Sequence, residues 1–175
     1  TTLSFTGWLN TIFKEIDVGD DHEMFPNFGE NYVSPVDTLT YMTQAFENAG
    51  SILAPFSDAE LDRGLYYLVS HASEDTLLLV DNDLPWEVRK RCIFSFRSLF
   101  EQLFAVRCSS HLMHIDDLPG ENRLNRVCYM WWDVLPVIGR TNEPHGEEIN
   151  QHFVDIMEAI LKIDSLACRE SALHG

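Results

Sequence analysis

The stretch PWEVRKRCIFSFRSLFEQLFAVRC, residues Pro85 to Cys108, carries Val88, Cys92, Ile93, Phe96, Leu99, Phe100, Leu103, Phe104 and Val106 at mainly three- and four-residue steps. That is the period at which side chains line one face of an α-helix. The apolar stripe is wide, so the helix is expected to be buried against two neighbours. Such an element needs other amphipathic helices to cover it, and the flanking sequence supplies them.

Upstream, Phe5, Trp8, Leu9, Ile12, Phe13 and Ile16 give a first helix, which ends in the acidic stretch Asp17 to Glu23. Pro26, Gly29 and Pro35 make the segment through Ser34 a loop. A second helix is expected from Pro35 to Ala49, with Pro35 suited to its start and Gly50 to its stop. Ser57-Asp58-Ala59-Glu60 is a capping box ahead of Leu61, Leu65, Leu68 and Val69. Gly64 within that third helix costs about 1 kcal/mol relative to Ala, and its presence suggests a close helix crossing. Thr76 to Val80 reads as helix or turn, because no strand-like segment exists to pair with it. Downstream of Cys108 come a loop with Asp116, Asp117, Pro119 and Gly120, a helix through Leu124, Val127, Cys128, Trp131 and Leu135, another over Gly146 to Ile163, and a last one capped by Ser165. The expected fold class is all-α with about seven helices in a single domain, residues 1–175. It is arranged either as a helical repeat (an α-α superhelix) or as an irregular multi-helix bundle.

The 175 residues are 45% apolar, enough for a sizeable core. Twelve basic side chains oppose twenty-eight acidic ones for a net charge of -16. That charge repels phosphate backbones, which disfavours nucleic acid, and it steers the chain toward basic partners. No apolar run reaches the ~18 residues of a membrane span, and no basic leader precedes an apolar segment, so a cytoplasmic protein is expected. Cys92, Cys108, Cys128 and Cys168 are widely spaced and form no C-x-x-C pair. At least three read as buried free thiols suited to a reducing compartment, with disulfide pairing left open.

Asp83-Leu84-Pro85-Trp86-Glu87-Val88-Arg89, followed by Cys92, Ser95, Phe96 and Leu99, resembles a HEAT repeat, whose D-x-x-x-x-V-R start leads into the second helix of a pair. Asp164-Ser165-Leu166-Ala167-Cys168-Arg169 with Ala172 and Leu173 is a weaker echo. Arg89 and Arg169 stand eighty residues apart, two periods of the roughly 40-residue HEAT and armadillo units. The resemblance is most visible in 57–108 and 147–175. It implies stacked helix pairs sharing an elongated core, the architecture of a protein-interaction scaffold.

His111, His114, Asp116 and Asp117 are the densest group of metal-ligating residue types, since two imidazoles three residues apart on a helix can face one cation. The same residues also suit a solvated helix end, where histidine interacts favourably with the dipole. Asp17, Asp20, Asp21, His22 and Glu23 lack the ordered ligand spacing of a calcium loop. Glu148 and His152 form an i,i+4 pair without a full H-E-x-x-H, and read as a surface pair. No nucleophile elbow, Walker A loop or dinucleotide fingerprint occurs, so the sequence lends no support to catalysis and implies no cofactor.

Tyr129-Met130-Trp131-Trp132-Asp133 is the most unusual local composition. Successive helical positions point about 100° apart, so Trp131 and Trp132 are not expected to share one core pocket. Either one indole reaches the surface, making Tyr129, Trp131, Trp132 and Asp133 a partner-binding patch, or Trp131 fills the core while Trp132 lies over a neighbouring helix. Tyr66 and Tyr67 pose the same question. The functional expectation is a protein-interaction module binding a basic partner. The alternatives are an acidic inhibitor, immunity protein or DNA mimic that neutralises a basic toxin or nuclease, and a metal-dependent hydrolase using His111, His114 and Asp116.

Overall fold

A computed structural model describes residues 1–14, 26–113 and 123–175, and within them the fold is all-α. Ser4 caps α1 (Phe5–Phe13), and Ser34 caps α2 (Pro35–Glu47), which opens on Pro35 at its first turn. Asn48 leaves helical geometry, and the four-residue α3 (Ala49–Ile52) follows. The expected helix through Ala49 is therefore broken one residue early. Gln102 spans the break: its amide donates to the Glu47 carbonyl (2.9 Å) and accepts from the Gly50 N–H (3.1 Å), satisfying groups that a helix end leaves open. The Ser57–Glu60 capping box forms as read and starts α4 (Asp58–Val69). Thr76 to Val80 lies in a 3-10 turn, Asp75–Val80.

The central stretch forms α5 (Trp86–Leu99), a π-helical turn at Phe100–Phe104, and a last turn, α6 (Ala105–Arg107). The wider π turn resets the helical phase and keeps Phe100, Leu103 and Phe104 all buried. The remaining helices are α7 (Arg123–Val134), α8 (Gly146–Ile160) and α9 (Leu166–His174), the last capped by Ser165. The only β pairing among the described residues is an isolated bridge between Thr2 and Tyr32.

α5 lies between α2 and α8, the two neighbours its wide stripe requires, while α7 packs against α4 and α9 and α1 crosses α4. Buried apolar residues from these helices join one continuous core. Its centre is Trp131, whose indole meets Phe46, Phe96, Phe100 and Phe104 edge-on, with ring centroids 6.1, 5.4, 6.0 and 5.8 Å away. Trp132 occupies a second pocket, stacked on Phe100 at 5.8 Å and edge-on to Phe153 of α8 at 6.0 Å.

All four cysteines are free thiols. Cys92, Cys128 and Cys168 are fully buried, and Cys108 is half-buried. Burial pushes the Cys92 thiol up to about 12. Burial also raises Cys128 well above its ordinary value, and the adjoining Cys108 and Cys168 thiols add to the effect. Because reactivity needs an accessible thiolate, a colorimetric thiol reagent should modify Cys108 alone in the folded protein and all four cysteines after unfolding.

Gly64 sits where α1 crosses α4. A β-carbon there would fall onto Cδ1 and Cε1 of the Phe13 ring and lie 3.0 Å from the Ile12 carbonyl. Gly64→Ala, favourable for an isolated helix, is expected instead to lower stability by about 1–3 kcal/mol through overpacking, measured by urea unfolding.

Candidate functional site

A cleft of about 750 Å³ opens between α4 and α7. Arg63, Tyr66, Tyr67 and Ser70 recur at three- and four-residue steps along one face of α4 and the residue after it, with His71 and Ala72 following. Arg126, Asp133, Val134 and Pro136 form the opposite wall. Twelve cations serve the whole chain, and two of them line this one cleft.

Arg126 is held from two sides. Its Nη2 donates to Oδ2 of the buried Asp62 at 2.9 Å, and its guanidinium lies 5.0 Å from the centre of the Tyr66 ring. A charge-assisted hydrogen bond combined with a cation–π contact fixes the plane of the guanidinium. The Nε of Arg63 is buried and has no hydrogen-bond partner among the described residues. Asp133, on the other rim, pairs with Nε2 of His174 at 2.7 Å, and that imidazole stacks on Tyr129 with ring centres 4.2 Å apart.

Tyr67 separates this cleft from a smaller one of about 260 Å³ lined by Trp8, Tyr32, Thr38 and Asp75. Burial pushes the Tyr67 phenol up to about 12, and the nearby Asp75 carboxylate adds to the shift. Burial likewise lifts Asp75 from 3.8 to about 7, against a hydrogen bond from Ser73 that favours the ionised form.

The sequence-predicted residues separate widely. Of Trp131 and Trp132, one of which the partner-binding reading expected at the surface, both are buried, at 0% and 3% exposure. This corrects the exposed-indole reading: α7 is covered on more than one side, so two directions 100° apart both meet core. Tyr129 is half-buried and Asp133 exposed, and both contact α9 through His174. Of the metal candidates, His111 is buried with Nδ1 2.7 Å from the Ser109 hydroxyl, while His114, Asp116 and Asp117 lie outside the described residues. So do Asp17, Asp20, Asp21, His22 and Glu23. Among the described residues no group of three His, Cys, Asp or Glu side chains could hold a metal ion.

The Glu148–His152 pair belongs to a larger cluster between α5 and α8. Glu148 approaches His152 Nε2 at 3.4 Å, His145 Nδ1 at 3.3 Å and Lys90 Nζ at 3.9 Å. Hydrogen bonding to His145, then to His152, and the Lys90 charge hold its carboxyl below the usual range, against burial. Trp86 of α5 stacks on His145 with centroids 4.3 Å apart, tying the start of α8 to the start of α5.

Arg63 and Arg126 were not singled out by sequence reasoning. The local signal was the run of Arg63, Tyr66 and Tyr67 on one helical face, but Asp62 and Arg126 are 64 residues apart and nothing local joins them. Comparison with family models, with curated proteins and with solved structures finds no match to this chain.

The raised Asp75 pKa has a signed consequence for stability. A carboxyl that holds its proton longer when folded leaves the folded state unpenalised below about pH 4, and the cost grows as pH rises toward 7. Asp75→Asn removes that cost. The variant should match the parent at pH 4 and exceed it at pH 8 by on the order of 2 kcal/mol after allowance for solvent screening, measured by urea titration at both pH values.

Proposed function

We propose that this chain is a protein-interaction module that engages a basic partner through the outward face of α8 and needs no cofactor to do so. One observation carries the reading. Glu147, Gln151, Val154, Asp155 and Glu158, with Leu161 just past the helix end, fall on the exposed side of α8, opposite the buried Ile149, Phe153, Ile156 and Ile160. Val154 and Leu161 stand two turns apart and keep 43% and 36% exposure, flanked by three carboxylates. An apolar seam bordered by negative charge suits a segment that offers apolar anchors among lysines and arginines. The net charge of -16 favours encounter with such a partner at long range.

The HEAT resemblance of Asp83 to Leu99 enters this reading as a local likeness. α5 pairs with α2 and α8 and α4 with α7 and α1, contacts that skip chain neighbours. A linear solenoid would pair consecutive helices, so an irregular bundle is the preferred architecture. The net charge also supports a narrower version, in which the basic partner is a toxin or nuclease whose cationic site the acidic surface neutralises.

The test is affinity capture from native lysate with the parent chain and with a Glu147→Lys, Asp155→Lys, Glu158→Lys triple variant. A basic protein should be recovered by the parent, released as salt rises, and lost by the triple variant while helicity is retained. Recovery of the same protein by the triple variant, or repeated recovery of only a metal or small metabolite, would overturn the proposal.

A further inference from the structure

The α4–α7 cleft has its own chemistry, and it uses none of the α8 residues. We infer that it binds a small organic anion with a flat apolar body, an aryl carboxylate or aryl phosphate, whose charge is taken by Arg63 and Arg126.

The volume of about 750 Å³ falls within the usual range for small-molecule pockets, about 300–1,000 Å³. Its walls combine Tyr66, Tyr67, Val134 and Pro136 with two guanidinium groups, the mixture of apolar surface and few polar groups that orients a ligand. In a chain of net charge -16, most surface repels anions. This cleft is different because the acidic groups around it are already engaged. Asp62 is bonded to Arg126, and Asp133 is bonded to His174. Arg63 forms no ion pair among the described residues; the Glu60 carboxylate one turn before it, which feels its charge, is engaged by the Ser57 N–H in the capping box.

The two arginines are prepared in different ways. Asp62 and the Tyr66 ring hold Arg126 in place, and among the described residues only its Nη2 is bonded, which leaves the rest of the planar fork to meet a carboxylate or phosphate. Arg63 has a buried Nε without a partner, a donor whose desolvation is uncompensated until an acceptor arrives.

Calorimetric titration with defined probes tests this. Benzoate and phenyl phosphate carry both charge and flat body, acetate and inorganic phosphate carry charge alone, and benzamide carries the body alone. At least one aryl anion should bind saturably and more tightly than its non-aryl counterpart and than benzamide. Arg63→Gln, which disturbs no ion pair, should weaken that aryl anion by about tenfold or more. Arg126→Gln would strand the buried Asp62, so Arg126→Lys is the companion variant: it keeps the Asp62 pair, loses the fork, and should weaken binding with the fold intact. The proposal is overturned if no probe binds saturably, if acetate and inorganic phosphate bind as well as the aryl anions, or if folded Arg63→Gln binds as the parent does. None of these outcomes touches the α8 reading, whose variant alters no residue of the cleft.

Discussion

The fold depends on one indole. Trp131 of α7 receives four phenylalanine rings, Phe46 from α2, Phe96 from α5, and Phe100 and Phe104 from the π turn, all within 21° of perpendicular. Edge-to-face contacts contribute about 0.5–1.5 kcal/mol each beyond the area they bury, and here they act between helices distant in sequence. The arrangement has a cost, because the Trp131 N–H is buried without an acceptor, a penalty of about 1–3 kcal/mol. The surrounding rings offset it. A smaller residue would leave a cavity where four side chains now meet, so the position is specified by shape rather than by hydrogen bonding.

Fixing α7 in this way fixes the cleft. Arg126 lies five residues before Trp131, and Asp133 two residues after it. The opposing wall is fixed independently: the capping box starts α4, and Gly64 lets α1 approach so closely that no β-carbon fits between them. The Asp62–Arg126 bond then ties the two walls together across the floor of the groove. Sites carried on two packed helices hold their geometry better than sites on loops. The unsatisfied Nε of Arg63 can therefore persist instead of relaxing into some local hydrogen bond.

Local chemistry in the sequence announced much of the fold. Pro35 at a helix start, the Ser57–Glu60 box, the two-neighbour stripe of α5 and the close crossing at Gly64 each depend on residues within a few positions of one another, or on simple periodicity. Features that depend on distant pairs were not readable. Nothing near Gln102 says that its amide will bridge Glu47 and Gly50, and nothing near Phe100 signals a π turn. The Trp131-Trp132 reading shows the same limit: the 100° separation is correct, but whether the second direction meets solvent or another helix is decided by α8 and the π turn. Of the site, Asp133 was identified and Tyr66 and Tyr67 were flagged, whereas the arginines that give the cleft its charge were not.

Two opposed charge patterns coexist in this molecule, and distance separates their effects. The excess of carboxylates acts over about a Debye length, roughly 8–10 Å, and governs which molecules are drawn toward the surface. Within the cleft the relevant distances are contact distances, where Asp62 is paired with Arg126 and Asp133 is hydrogen-bonded to His174, while Arg63 forms no ion pair among the described residues. At contact range and with partial desolvation, a guanidinium without an ion-pair partner can outweigh many screened carboxylates. An acidic exterior that attracts basic macromolecules is thus compatible with a cationic recess that accepts a small anion. Binding in the recess leaves the outer field almost unchanged, since one added charge is minor against a net charge of -16. The two sites are joined through α7, whose Trp131 rings reach α5, on which α8 packs, and whose Trp132 meets Phe153 of α8 directly.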